Sequence, residues 1–327
     1  MKRMLSGNSA RSLQSLFALM LMVVVLSLAT RTFLTVDNLL TILRQISVNA
    51  CLSIGLTLVI VSGGIDLSVG AVLALSGAVA GGLLKNGILL GRWGLQLDFT
   101  VTGAMLAGLL VGSLLGSANG LAVTRLKLPP FVATLAMLSI ARGLTLLWTG
   151  GYPITGLDPA FDSLGTGFVA GIPVPVWIVV ALIAATTFLC RQTPFGRHLY
   201  AVGGSERAAR LTGLNVDRIK LAVYALGGAL SALAGLLVTA RLDSAQPNAG
   251  LGYELDGIAA VVIGGTSLSG GRGSVVGTLL GCLIIGVLNN GLALLDVSPF
   301  WQQVIKGLVI LVAVAMDRIG AREERAS

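Results

Sequence analysis

The sequence predicts an all-α polytopic membrane protein of about ten spans. Of its 327 residues, 55% are apolar and only 11% charged. Mean hydropathy is +0.91, more apolar surface than a domain bathed in water can carry. Apolar runs recur along the chain near 13–30, 46–62, 68–84, 99–123, 129–149, 173–190, 219–240, a short one near 256–266, then 274–295 and 300–316. A spanning helix needs about 20 such residues, so these runs fill a single transmembrane domain, 1–327, with no room for a large soluble one.

The first run follows "MKRMLSGNSAR" and lacks a small-residue cleavage pattern behind it, so it reads as a signal anchor that stays attached. With the N-terminus inside, about fifteen of the 22 basic residues fall on the cytoplasmic side, among them Lys2, Arg3, Arg11, Arg125, Arg191, Arg272, Arg318, Arg322 and Arg325. Arg31, Arg44, Lys85, Arg92 and Arg241 fall outside. The bias sets the orientation and predicts both termini in the cytoplasm. It also accounts for the net charge of +8. The basic residues flank apolar runs and do not interleave with aromatics along a soluble face, so a bilayer and not nucleic acid is the expected partner.

In the fourth run, "GLLVGSLLGSANG" repeats glycine every fourth residue, at Gly108, Gly112, Gly116 and Gly120. That spacing draws a smooth stripe along one helix face, against which another backbone packs closely or slides. Cys51, Cys190 and Cys282 lie in apolar runs without metal-ligand or disulfide spacing and read as buried thiols. The single histidine, His198, sits in a basic loop. No zinc-hydrolase motif and no serine–histidine–aspartate set can be built from it. "GGTSLSGGRGS" is glycine-rich but has no lysine before a hydroxyl residue, so the phosphate-cradling loop is missing. No catalytic residue, metal site or cofactor is expected in this chain.

Charges inside spans are expensive and therefore informative. Asp66 in "SGGIDLSVG" follows a glycine break and is placed to cap the next helix at the membrane surface, or to line a substrate path. Arg142 lies past the middle of its run and must pair, snorkel or meet solute. Lys306 reads as a snorkelling residue near the outer end of the last span. Asn289 and Asn290 in "IIGVLNNGLALL", with Asn49, Asn119, Thr134 and Ser139, suit interhelical hydrogen bonds or a wet path for an uncharged, hydroxyl-rich solute. Asp66, Thr134, Arg142, Asn289 and Asn290 are the translocation-path candidates.

One polar island stands out: "GGSERAARLTG", within a basic connector at 191–218. Ser205 is a good N-cap, Glu206 suits the positive end of a helix dipole and Arg210 the negative end, and Gly213 can adopt the left-handed conformation that stops the helix. A free-standing helix of about two turns is predicted, and a helix that short needs support. In one reading it packs on its own protein as a connector. In the other, Ala208, Ala209 and Leu211 form a knob for a partner's groove, with Arg207 and Arg210 at the rim. A membrane protein without a nucleotide motif but with such a knob points to energy delivered by another subunit.

These residues carry a resemblance. "GGSERAARLTGLNVDRIK", "ARLDSAQPNAGLGYELDGIAAVVIGGTSLSGGRGSVVGTLLG", "GGIDLSVG" and "LPPFVATLAMLSIARGL" together resemble the permease subunits of ribose-type monosaccharide ABC importers over nearly the whole chain. The resemblance implies a fold similar to vitamin B12-type permeases and a second permease subunit, expected to be another copy of this chain. It also implies a cytoplasmic ATPase with two nucleotide cassettes, which would hold ATP and Mg, and a periplasmic sugar-binding protein, all at a bacterial inner membrane. In the family's coupling loop a Glu-Ala-Ala sequence precedes a glycine. Glu206, Ala208 and Gly213 match it, while Arg207 stands where the first alanine is found. The implied mechanism is alternating access driven by the ATPase. The competing reading is an ion-coupled secondary sugar transporter, which needs carboxylates at membrane depth; Asp66 is one candidate, while Glu254, Asp256 and Asp296 read as closer to the outer surface.

Overall fold

A computed structural model describes the backbone of residues 2–90 and 95–326 and the side chains of 15–88 and 96–315. The side chains of Lys2, Arg3, Arg11, Arg92, Arg318, Arg322 and Arg325, on which part of the orientation argument rests, lie outside the described residues.

Helices occupy the apolar runs. They are α1 (Lys2–Ala29), α2 (Val36–Val61), α3 (Val69–Asn86), α4 (Val101–Thr124), α5 (Pro130–Thr149), α6 (Pro159–Thr166), α7 (Val174–Gln192), α8 (Pro194–Gly204), α9 (Glu206–Leu211), α10 (Val216–Leu242), α11 (Tyr253–Ile263), α12 (Val275–Leu294) and α13 (Pro299–Ala326). Among the described residues seven of them, α2, α3, α4, α5, α7, α10 and α12, are long and apolar enough to cross a membrane. Shorter apolar stretches, Ser15–Ala29 and Pro299–Ala315, lie in α1 and α13.

The chain is not wholly α-helical between these helices. Among the described residues three two-stranded antiparallel ribbons join connections: β1 (Ile88–Leu90) with β2 (Leu95–Leu97), β4 (Phe168–Val169) with β5 (Ile172–Pro173), and β3 (Ile154–Thr155) with β6 (Ser244–Ala245). In the last, Thr155 faces Ser244, which ties the turn after α5 to the end of α10.

The short span expected near 256–266 is a half-length helix. α11 has 11 residues, about 16 Å at 1.5 Å per residue, against a hydrocarbon core of about 30 Å. It stops at Ile263 because Gly264 and Gly265 follow, the latter at φ +87°. Before it, residues 243–252 run back along α3 without helix, from Ala245 of β6 beside Gly81 to Gly250 beside Gly70. Non-helical backbone at such depth is tolerated only when the protein satisfies its polar groups.

α2 forms the axis of the molecule and is buried throughout from Ile46 to Ser62, enclosed by α7, α10, α11 and α12. α10 packs on α4 and α3. The glycine stripe makes this possible: Gly112 and Gly116 lie against the backbone of Gly228 and Tyr224 on α10, leaving no space for a Cβ. A second apolar cluster gathers Val123, Ala133, Cys190, Leu199, Val202, Ala209, Val216 and Val223 at one end of the bundle. On that end sits the polar island.

Candidate docking element and polar tethers

The connector 191–218 holds two helices where the sequence suggested one. α7 ends at Gln192 because Thr193 turns to extended backbone before Pro194, which has no N–H to give a continuing helix. The Thr193 hydroxyl accepts from Gly196 N, and Pro194 occupies the first turn of α8, where its missing N–H costs nothing. α8 buries Gly196, Leu199 and Val202 along one face. Ser205 is extended (φ −162°) and accepts from Ala208 N at 3.2 Å, the predicted N-cap of α9. Gly213 takes the predicted left-handed conformation at φ +82°, and Leu214 N closes on Ala209 O at 3.1 Å.

α9 is not free-standing. The Glu206 carboxylate accepts Lys220 Nζ of α10 at 2.5 Å and Arg210 Nη2 at 2.9 Å, and Arg210 reaches Asp217 Oδ1 at 2.6 Å. Partial burial works against the Glu206 charge, but the bonds from Lys220 and then Arg210 outweigh it and hold its carboxyl below the usual glutamate range. One expectation changes as a result. Ala209, predicted in the exposed knob, is 4% exposed and packs in the apolar cluster, because a helix of six residues is stable only if one face is buried. Arg210, predicted at the rim, is exposed and is also held by two carboxylates. What faces outward is Leu211, 82% exposed, with Arg207, Ala208 and Thr212 beside it.

Asp66 is buried, 2% exposed. Its Oδ1 accepts from Ser68 N at 2.8 Å and Ser68 Oγ at 2.6 Å, and Ser68 is the N-cap residue ahead of α3. Asn119 of α4 donates to Ser68 Oγ at 2.9 Å. Thr134 of α5 and Tyr224 of α10 both donate to Ile65 O, at 3.3 and 3.4 Å. The turn between α2 and α3 is thereby pinned from three neighbouring helices.

Arg142 serves the irregular segment. Its Nη1 donates to Pro247 O at 2.6 Å and to Ala249 O at 2.9 Å, satisfying carbonyls that have no helix to satisfy them. Lys306 does not snorkel: its Nζ meets Asp256 Oδ2 at 3.0 Å. Asp256, expected near the outer surface, is 5% exposed on the first turn of α11. Asn289 Nδ2 lies 3.4 Å from the same oxygen. Asn290 and Asn38 exchange amide hydrogen bonds of 2.8 and 3.1 Å between α12 and α2. The five path candidates all bond to their own chain: Asp66 and Thr134 at the turn 65–68, Arg142 at 247–249, and Asn289 and Asn290 on α12. Sequence reasoning missed the partners Asn38, Lys220, Tyr224 and Asp256. For Asp256 and Lys306 a signal existed, since an acid and a base each isolated in apolar helices are best explained by each other. Among the described residues, no group of three or more His, Cys, Asp or Glu could hold a metal ion.

A family model described as branched-chain amino acid transport system / permease component matches residues 38–314. The chain belongs to this permease family. It is 49% identical over 308 residues to the ribose import permease protein of Haemophilus influenzae, covering 93% of this chain and 92% of that one. The ribose import permease protein of Bacillus subtilis is 49% identical over 319 residues, with 97% and 96% covered. The xylose transport system permease protein of Escherichia coli is 36% identical over 346 aligned positions, with 87% and 86% covered. No solved structure matches the chain significantly.

Proposed function

We propose that this permease carries a monosaccharide, ribose before xylose, as the membrane subunit of an ATP-driven importer. The observation that carries the substrate is the 49% identity to ribose import permeases over nine-tenths of both chains. The family description mentions amino acids, but the relatives that align along the full length are named for sugars. The exposed α9 knob supports the energy source. Leu211 is an apolar anchor for a groove, Arg207 supplies the cation at its rim, and Ser205, Glu206, Ala209, Arg210 and Gly213 hold Ala208 and Leu211 in place. An ATPase with two cassettes grips this knob and brings the ATP and Mg that the chain has no motif to bind.

In this reading the protein sits in the bacterial inner membrane with both termini and α9 in the cytoplasm. α1, α13 and the α11 segment complete about ten passes, in a fold like that of vitamin B12-type permeases. A second copy completes the pathway, and a periplasmic binding protein delivers the sugar. ATP closes the cassettes, α9 moves, and the cavity between the copies changes its open side. Asp66, Thr134, Arg142, Asn289 and Asn290 maintain the frame of that cavity. Vesicles containing the chain, its ATPase and its binding protein should take up ribose with ATP and no ion gradient. Uptake that needs a gradient and ignores ATP refutes this and favours the secondary transporter.

A further inference from the structure

Where α8 ends, three backbones meet with almost no side chain between them. A Cβ on Gly203 would run into Val61 O, at the end of α2, and into Gly271 N. Gly271 N itself donates to Val61 O at 2.9 Å, satisfying one of the carbonyls that the last turn of α2 leaves open. Gly270 lies against Gly203 O and against the backbone of Gly63, and Gly271 against Gly204. One side chain closes the arrangement: Tyr200 of α8 donates its hydroxyl to Gly273 O at 2.9 Å, just ahead of α12. Gly204 is followed directly by the Ser205 cap of α9.

We propose that this crossing transmits motion of the docking helix into the membrane, with Tyr200 as the positioning residue that holds its third strand. The inference rests on the reading of α9 as the ATPase-docking element. A displaced α9 pulls on Ser205 and Gly204, and their neighbours at the crossing are backbone atoms with no rotamers to absorb the shift. The load then passes to two elements at once. One is α2, the buried axis of the bundle. The other is the loop 264–274, which joins the half-length α11 to α12. Side chains at these positions would hold the backbones apart and let α9 move without them.

The test uses the assembled transporter in vesicles, comparing the unaltered chain with Tyr200→Phe and Gly203→Ala, and reads both retention of the ATPase on purification and ribose moved per ATP hydrolysed. Both variants should retain the ATPase. Ribose per ATP should fall about threefold in Tyr200→Phe, which loses one hydrogen bond and keeps the ring, and further in Gly203→Ala, which forces the backbones apart. If Gly203→Ala does not fold, Tyr200→Phe decides alone. An unchanged ratio in a Tyr200→Phe complex that retains its ATPase overturns the inference while leaving the docking reading intact. An ATPase that fails to co-purify even with the unaltered chain overturns the docking reading, and this inference with it.

Discussion

Replacing Arg142 by leucine tests the account of the irregular segment 243–252. The guanidinium donates two bonds, at 2.6 and 2.9 Å, to Pro247 O and Ala249 O. A hydrogen bond to a charged group contributes about 1.5–3 kcal/mol, so losing both costs about 3–6 kcal/mol, with two carbonyls left unpaired. At about 2 °C per kcal/mol for a large chain, the melting temperature in detergent should drop by roughly 6–12 °C. Both bonds leave one nitrogen, Nη1, so a lysine ammonium keeps the charge and the donors but not the longer reach of arginine, and Arg142→Lys should fall between leucine and arginine. Thermal unfolding followed by the size-exclusion profile of the purified protein measures all three. A leucine variant melting within about 2 °C of the unaltered protein refutes the assignment of Arg142 as the tie that holds this segment.

Lys306→Met leaves the Asp256 carboxylate buried without its cation and should destabilise the protein by about 3–5 kcal/mol, whereas adding Asp256→Asn should recover most of the loss; chemical unfolding of both variants checks the coupling. Gly213→Val demands a left-handed conformation that β-branched residues resist, so ATP hydrolysis should no longer respond to loaded binding protein; an unchanged response sinks the role of that turn. The Glu206 carboxyl is held below the usual glutamate range in the folded protein, so its tether to Lys220 and Arg210 stabilises α9 above the unfolded value and is lost only as pH falls through the lower, folded one. Amide exchange across 205–214, corrected for intrinsic rate, should show constant protection from neutral pH down to the ordinary glutamate range and lose it only on further acidification.

Much of the local structure of 205–214 was legible because its signals are local. A serine cap, an acidic first residue and a glycine stop act over single turns, and each appears where the pattern of Ser205, Glu206 and Gly213 places it. The direction in which α9 faces was not legible. Ala209 and Leu211 are both apolar, and only the cluster formed with Val202 and Val216 decides that the first is buried and the second exposed. The same limit applies to the membrane charges. Their cost announces that Asp66, Arg142 and Lys306 have partners, but the partners lie 50 to 107 residues away for Lys306 and Arg142.

By itself, the sequence determined that this chain lives in a bilayer, that its helices lie in the apolar runs, and that it carries a capped polar element in place of a nucleotide motif. Those conclusions depend on composition and on interactions within a few residues, which any apolar chain of this pattern would share. Tertiary structure decided that the predicted span near 256–266 is half a helix preceded by unwound backbone, and that its open carbonyls are met from α5. It also decided that glycines from three distant segments meet at Val61. Such facts arise from close packing between segments far apart in the chain, where one missing Cβ or one long side chain settles what can approach what.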